Sequence, residues 1–391
     1  MKNVYLLMAA QALAGCGMIM LVTFGGIAGS RIAPFPQIAT LPLSLAIVGV
    51  AAMSLPAALI MQRIGRKRAF IGSALAGAIA AVLCAVAIGR ASFVLLSVGA
   101  VLLGGTMAFV QQYRFAAVEY VPAEHTSRAV ATVLLGTLIA ALIGPLTGQL
   151  ARDLGGWREF TGSYLFLALF CVAAALVLTR LEPLRVAERT TSDNGRPLAQ
   201  IVRQPAFVLA VGCAVIAYAV MSFIMTATPI SMHEIDGFSS GATSAVITGH
   251  LLGMYLPSLA TPFLVRWLGL RGMMLTGIAA MTACVSIAAL LGHHFHHYFV
   301  GLFLLGAGWN LMFVAATTQL TRCYAPSERF RAQGFNDLLV FGTQALASLG
   351  AGAAIQSLGW VALNLWSLPP LVLAAVAVLA LSRAGTSVPR G

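Results

Sequence analysis

Apolar runs of about 20 residues recur along the chain, each closed by a short polar stretch. A run of that length lets a helix cross a bilayer core. Only helices and closed barrels span lipid, because it offers the backbone no hydrogen-bond partner. The pattern predicts twelve transmembrane helices. Six fall at roughly 4–28, 37–61, 69–89, 92–118, 129–151 and 160–180. Six more fall at roughly 206–230, 243–265, 272–292, 298–318, 334–356 and 361–382. One long polar stretch, "RLEPLRVAERTTSDNGRPLAQIVRQP", separates them and reads as a linker. The expected fold is an all-α integral membrane protein of two six-helix bundles, residues 1–180 and 206–391, joined by a cytoplasmic linker at 181–205.

Composition agrees. The chain is 60% hydrophobic and 9% charged, with mean hydropathy +0.92, where soluble domains carry roughly a quarter charged residues. A net charge of +12 could suggest nucleic acid, but the placement of the cations excludes it. Eighteen Lys and Arg residues lie at the termini or after even-numbered spans, and four (Arg31, Arg90, Arg152 and Arg158) lie in the opposite loops. That is the positive-inside pattern and predicts cytoplasmic termini. The remaining cation, Arg114, sits inside the fourth span, in "VLLGGTMAFVQQYRFAAVEYV".

The halves also repeat. "LLGGTMAFVQQYRFAAVEYVPAEHTSRA" parallels "LLGAGWNLMFVAATTQLTRCYAPSERFRA", and "ALIMQRIGRKR" parallels "PFLVRWLGLR". Two related six-helix halves suggest a rocking-bundle secondary transporter with its site between the repeats.

On these features the chain resembles the major facilitator superfamily over essentially its whole length, in a bacterial permease subgroup. Gln62–Arg68, "QRIGRKR", resembles the signature loop between helices two and three, with Gln62 where that loop usually carries an acid. The resemblance assigns gating roles to Arg63 and Arg66, and it implies an Arg66 pair with an acid at the cytoplasmic end of helix four, a position Glu119 fits. Such a pair would latch an outward-facing state. Gly136, Gly144, Pro145 and Gly148 resemble the fifth-helix motif of antiporters, with Ala140 and Gln149 replacing expected glycines. The resemblance further implies a cavity lined by helices one, four, seven and ten, a bacterial cytoplasmic membrane and a monomer.

Arg114 is the sharpest candidate, because a buried membrane charge needs a cavity and a partner. On an unbroken helix Gln111 shares its face, whereas Gln112, Phe115 and Glu119 form an adjacent one. Three readings stand: contact with an anionic or carbonyl-rich solute, a part of the cytoplasmic gate, or snorkelling to headgroups. Trp309 and Asn310 in helix ten suit a flat, partly polar solute, or else helix packing. Gln11 in helix one, and Met221 and Met225 in helix seven, are further cavity candidates with the same alternative. Proton coupling needs a titratable group within the membrane, and the choices are Glu119, His250 and Asp337. Asp337, at the start of span eleven, reads equally as a partner for the helix dipole.

Other patterns carry less. Leu13–Cys16 matches a lipoprotein box inside an apolar run that continues past it. Six scattered cysteines lack metal or disulfide spacing. "HHFHH" at 293–297 has no second ligand cluster, and Gly237–Gly241 matches GxSxG without a preceding strand. A phosphate-binding GxxxxGK[ST] is absent. No cofactor and no enzymatic activity are expected. The expected function is proton-coupled alternating-access transport of a small organic solute. The helix-five motif favours efflux by antiport; uptake of a vitamin-, siderophore- or organic-acid-like solute is the alternative.

Overall fold

The computed structural model describes residues 1–21, 32–35, 41–152, 154, 158–182 and 195–381. Arg31, Arg185, Arg189, Arg383 and Arg390, the end of span one and the start of span two lie outside them. Among the described residues there is no β-strand. The first half contains α1 (Lys2–Met20), α2 (Leu41–Ile64), α3 (Arg66–Gly89), α4 (Phe93–Gln111), α5 (Tyr113–Val118), α6 (Thr126–Leu150) and α7 (Thr161–Thr179). A short α8 (Leu198–Val202) precedes α9 (Pro205–Pro229), α10 (Ser240–Tyr255), α11 (Thr261–Leu290), α12 (Phe295–Leu320), α13 (Arg329–Leu365) and α14 (Leu368–Leu381).

Ten helical stretches among the described residues are long and apolar enough to cross a membrane. Two of them, Ala242–Leu290 and Arg329–Ala380, run 49 and 52 residues, each enough for two crossings. Each is broken at one glycine, Gly269 (φ 65°, ψ 175°) and Gly359 (φ 75°, ψ 174°). Counting each as two crossings gives the twelve transmembrane helices. The loop expected at 266–271 is therefore a corner at Gly269, because a left-handed residue turns the chain without extra length. Gly65 makes the same corner between α2 and α3, with φ 83° and ψ 155°. The repeated "RIGRK" and "WLGLR" segments thus encode one shared turn.

The chain divides into two compact units. One is Met1–Asp193 with Gln333–Leu338, and the other is Asn194–Ala332 with Leu339–Gly391. In the first, α4 packs against α2 so closely that a methyl group on Gly104 would lie 1.9 Å from the Ala46 carbonyl oxygen. In the second, a methyl group on Gly306 would lie 2.4 Å from the His250 carbonyl oxygen, on α10. The repeated "LLGG" and "LLGAG" therefore do the same work, since small residues let transmembrane backbones approach. Between α1, α3, α4 and α7 the core is built from small side chains such as Cys16, Ala80, Cys84, Ala100 and Cys171. All six cysteines are buried and free, which fits their use as small apolar filler. Large apolar side chains such as Ile79, Val94, Leu146 and Leu169 are exposed, as a lipid-facing surface requires.

Gly104→Val should lower the melting temperature in detergent, corresponding to a loss of about 1–3 kcal/mol or more. Gly72→Val, where an added methyl meets nothing within 4 Å, should leave it nearly unchanged.

Candidate functional site

The fourth span is not one helix. α4 ends at Gln111 and α5 begins at Tyr113, with Gln112 between them at φ −79° and ψ −10°. The Gln112 amide donates to Phe109 O at 3.0 Å, an i−3 bond that tightens the turn. Tyr113 to Ala117 are then all buried, so this segment is enclosed on every side. The break redirects the side chains. Gln112, not Gln111, accompanies Arg114: Gln112 is fully buried, whereas Gln111 is half-buried. The faces expected for an unbroken helix are corrected accordingly.

Arg114 Nη2 donates to Asp337 Oδ1 at 2.6 Å, and both side chains are 1% exposed. Gln112 Nε2 donates to Asp337 Oδ2 at 2.7 Å, and Asn336 Nδ2 donates to Oδ1 at 2.9 Å. Asp337 thus holds three donors. The Arg114 guanidinium also lies 4.7 Å from the Phe115 ring centroid. One step away, Arg66 Nη2 donates to Glu119 Oε1 at 2.6 Å, and Nε lies 3.1 Å from both carboxylate oxygens. Arg66 Nη2 also donates to Gln333 Oε1 at 2.7 Å, and Nη1 reaches Gln112 Oε1 at 3.5 Å. Gln112 therefore links two ion pairs into one network of two cations and two anions. Gln333, Asn336 and Asp337 stand at i, i+3 and i+4, forming one polar face of α13. That polar stripe in "RAQGFNDLLVFG" is the sequence signal for these partners.

Asp337 does not start its helix. α13 begins at Arg329, so Asp337 lies more than two turns inside it, away from the dipole position. The reason is an anchor at Glu328. Its Oε2 accepts from the Ala325 amide at 2.8 Å, and Arg196 donates Nε to Oε1 and Nη2 to Oε2, each at 2.8 Å. These arginine bonds hold the Glu328 carboxyl down at about 2.

The other candidates fall elsewhere. Arg63 is exposed while Arg66 is buried, so the two basic residues of the turn face opposite ways. Gln11 Nε2 donates to Thr137 Oγ1 at 3.0 Å, and its Cβ lies against Gly136, where an added methyl would be 2.8 Å away. Gly144 faces Cys16 on α1, and Gly148 O accepts from Ser163 Oγ at 2.5 Å. The helix-five motif therefore seats α6 against α1 and α7, and Pro145 lies within α6. His250 is fully buried with Nδ1 2.8 Å from Leu302 O, joining α10 to α12. Asn310 Nδ2 donates to Met254 O and Ser258 Oγ, each at 2.7 Å. Trp309 turns the other way, onto Tyr218 at 5.1 Å between centroids. Met221 is buried and Met225 half-buried on α9.

Removing one member of a buried pair strands the other charge, at a cost of about 3–5 kcal/mol. Asp337→Asn should therefore lower thermal stability strongly. Arg114→Leu combined with Asp337→Leu should recover most of that loss. Equal stability of Asp337→Asn and the parent would contradict the network.

Comparison with known proteins places this architecture. Residues 6–267 match the family model of the Major Facilitator Superfamily. The riboflavin transporter RfnT of Brucella anthropi is 37% identical over 377 residues, covering 95% of this chain and 93% of its own. The multidrug resistance protein MdtL of Salmonella typhimurium is 28% identical over 288 residues, covering 71% of this chain and 69% of its own. The solved fucose:proton symporter of E. coli superposes with a TM-score of 0.77 at 14% identity, over 98% of each chain. The protein is a multi-pass membrane transporter without enzymatic activity, and the chain belongs to the major facilitator superfamily.

Proposed function

We propose that this protein carries a riboflavin-class flavin across a bacterial cytoplasmic membrane by alternating access, with both termini cytoplasmic. The observation that carries the substrate is the 37% identity to a riboflavin transporter across 95% of the chain. A flavin is also the kind of flat solute that the aromatic side chains of helix ten suggest. The orientation rests on the eighteen-to-four distribution of basic residues.

The charge network supplies the gate. Arg66, Gln112 and Arg114 bind the polar face of α13 at Gln333 and Asp337. That piece of α13 belongs to the first unit, and the chain on either side of it belongs to the second. In one state of the cycle the network is intact; in the other its members separate into a hydrated cavity. The energy difference biases the equilibrium, and substrate binding shifts it back. Asp337 is the coupling group: a proton on its carboxylate takes the place of the arginine partner and loosens the gate. The second reading is efflux of drug-like solutes, favoured by the likeness to the multidrug resistance protein MdtL.

Purified protein in proteoliposomes, with an imposed pH gradient, tests this. Saturable riboflavin flux above empty vesicles, abolished by collapsing the gradient, is the expected result, and its direction distinguishes uptake from efflux. Transport of a cationic dye without riboflavin flux would favour the efflux reading.

A further inference from the structure

The second unit holds an aromatic cluster that packing alone does not explain. Tyr218 on α9 meets three rings edge-to-face: Trp309 at 5.1 Å, Phe313 at 5.0 Å and Phe341 at 5.5 Å between centroids. Tyr255 on α10 meets the other edge of the group, 6.0 Å from Trp309. Phe313 stacks on Trp309 at 5.1 Å with the planes 16° apart. Rings from α9, α10 and α12 itself thus meet one indole, which is 1% exposed, and Phe341 on α13 joins the cluster through Tyr218.

The indole N–H of Trp309 has no hydrogen-bond partner. Indole nitrogen is a donor only, so one acceptor would satisfy it. A buried donor left unpaired costs free energy, and within a bilayer water cannot relieve it. Phenylalanine at this position would keep the ring contacts without that cost. The neighbouring Asn310 places its amide N–H groups on Met254 O and Ser258 Oγ, whereas the indole N–H has no such acceptor. Trp309 is the ring of the cluster whose polar atom is among the buried unsatisfied groups, as is the Asn310 side-chain oxygen beside it.

We infer that Trp309 and the rings around it form the recognition subsite for the planar heteroaromatic part of the solute, with the indole N–H donating to a ring carbonyl. The inference deepens the flavin reading above and rests on it. The solute class is a fused, planar ring system bearing imide-type carbonyls, of which riboflavin's is the probe. Stacking between flat faces is tolerant of detail, whereas the N–H selects rings with an acceptor at their edge. In the structure the rings pack on one another. Binding replaces one of these ring–ring contacts with a ring–solute contact.

The test uses full-length purified protein. Riboflavin affinity is read from quenching of flavin fluorescence in wild type and Trp309→Phe, alongside melting temperature. The expected result is about tenfold weaker binding in Trp309→Phe, with unchanged or higher thermal stability. Equal affinity in the two proteins overturns the subsite and leaves the flavin reading standing. Parallel loss of affinity and stability assigns Trp309 to packing and also overturns it. Failure of wild type to bind riboflavin removes the flavin reading, and this inference with it. A second measurement needs no variant: infrared carbonyl bands of riboflavin bound to wild type should fall below their frequency in an apolar solvent. Unshifted bands would overturn the proposed bond.

Discussion

A guanidinium and a carboxylate, each about 1% exposed, meet 2.6 Å apart within membrane-spanning helices. Neither tolerates that depth alone, since a desolvated charge costs several kcal/mol even after relaxation. Several side chains of the first unit are arranged around this requirement. The break at Gln112 turns its side chain inward to bond Asp337. Asn336 gives Asp337 another donor. Arg66 and Glu119 form the adjacent pair, tied in through Gln112 and Gln333. The network is electrically balanced, so each member's tolerance of burial depends on its partners. Such a network is worth little as net stabilisation.

The two units share a plan and differ in chemistry. Both use a left-handed glycine as a one-residue corner, Gly65 and Gly269. Both use a glycine to bring two backbones together, Gly104 and Gly306. At the first corner Gly65 is followed by Arg66, which carries the network. At the second the next residue is Leu270, and Arg271 is exposed. The repeated scaffold therefore holds ions in the first unit and an aromatic cluster in the second. The two halves share the backbone constraints, which depend on glycine, and differ in their side chains.

The sequence made the helices legible because twenty-residue apolar runs have one solution in lipid. The repeated glycines were legible for the same reason: the motifs recur with their spacing. The partner of Arg114 was not. Asp337 is 223 residues away, and the helix containing it starts earlier than its first apolar residues suggest, because Glu328 is anchored by Arg196. The choice between Gln111 and Gln112 could not be read either. It follows from a backbone break that no glycine or proline marks. Trp309 and Asn310 are adjacent in sequence, yet they serve an aromatic cluster and a helix contact respectively, as neighbours about 100° apart on a helix do.

We propose that the Arg114–Asp337 network sets a conformational equilibrium. The most direct test is a spectroscopic distance measurement between spin labels on the two units, in wild type and Asp337→Asn, without substrate. The expected result is a redistribution between two distance populations when the carboxylate is lost. Superimposable distributions in properly folded wild type and variant would contradict it.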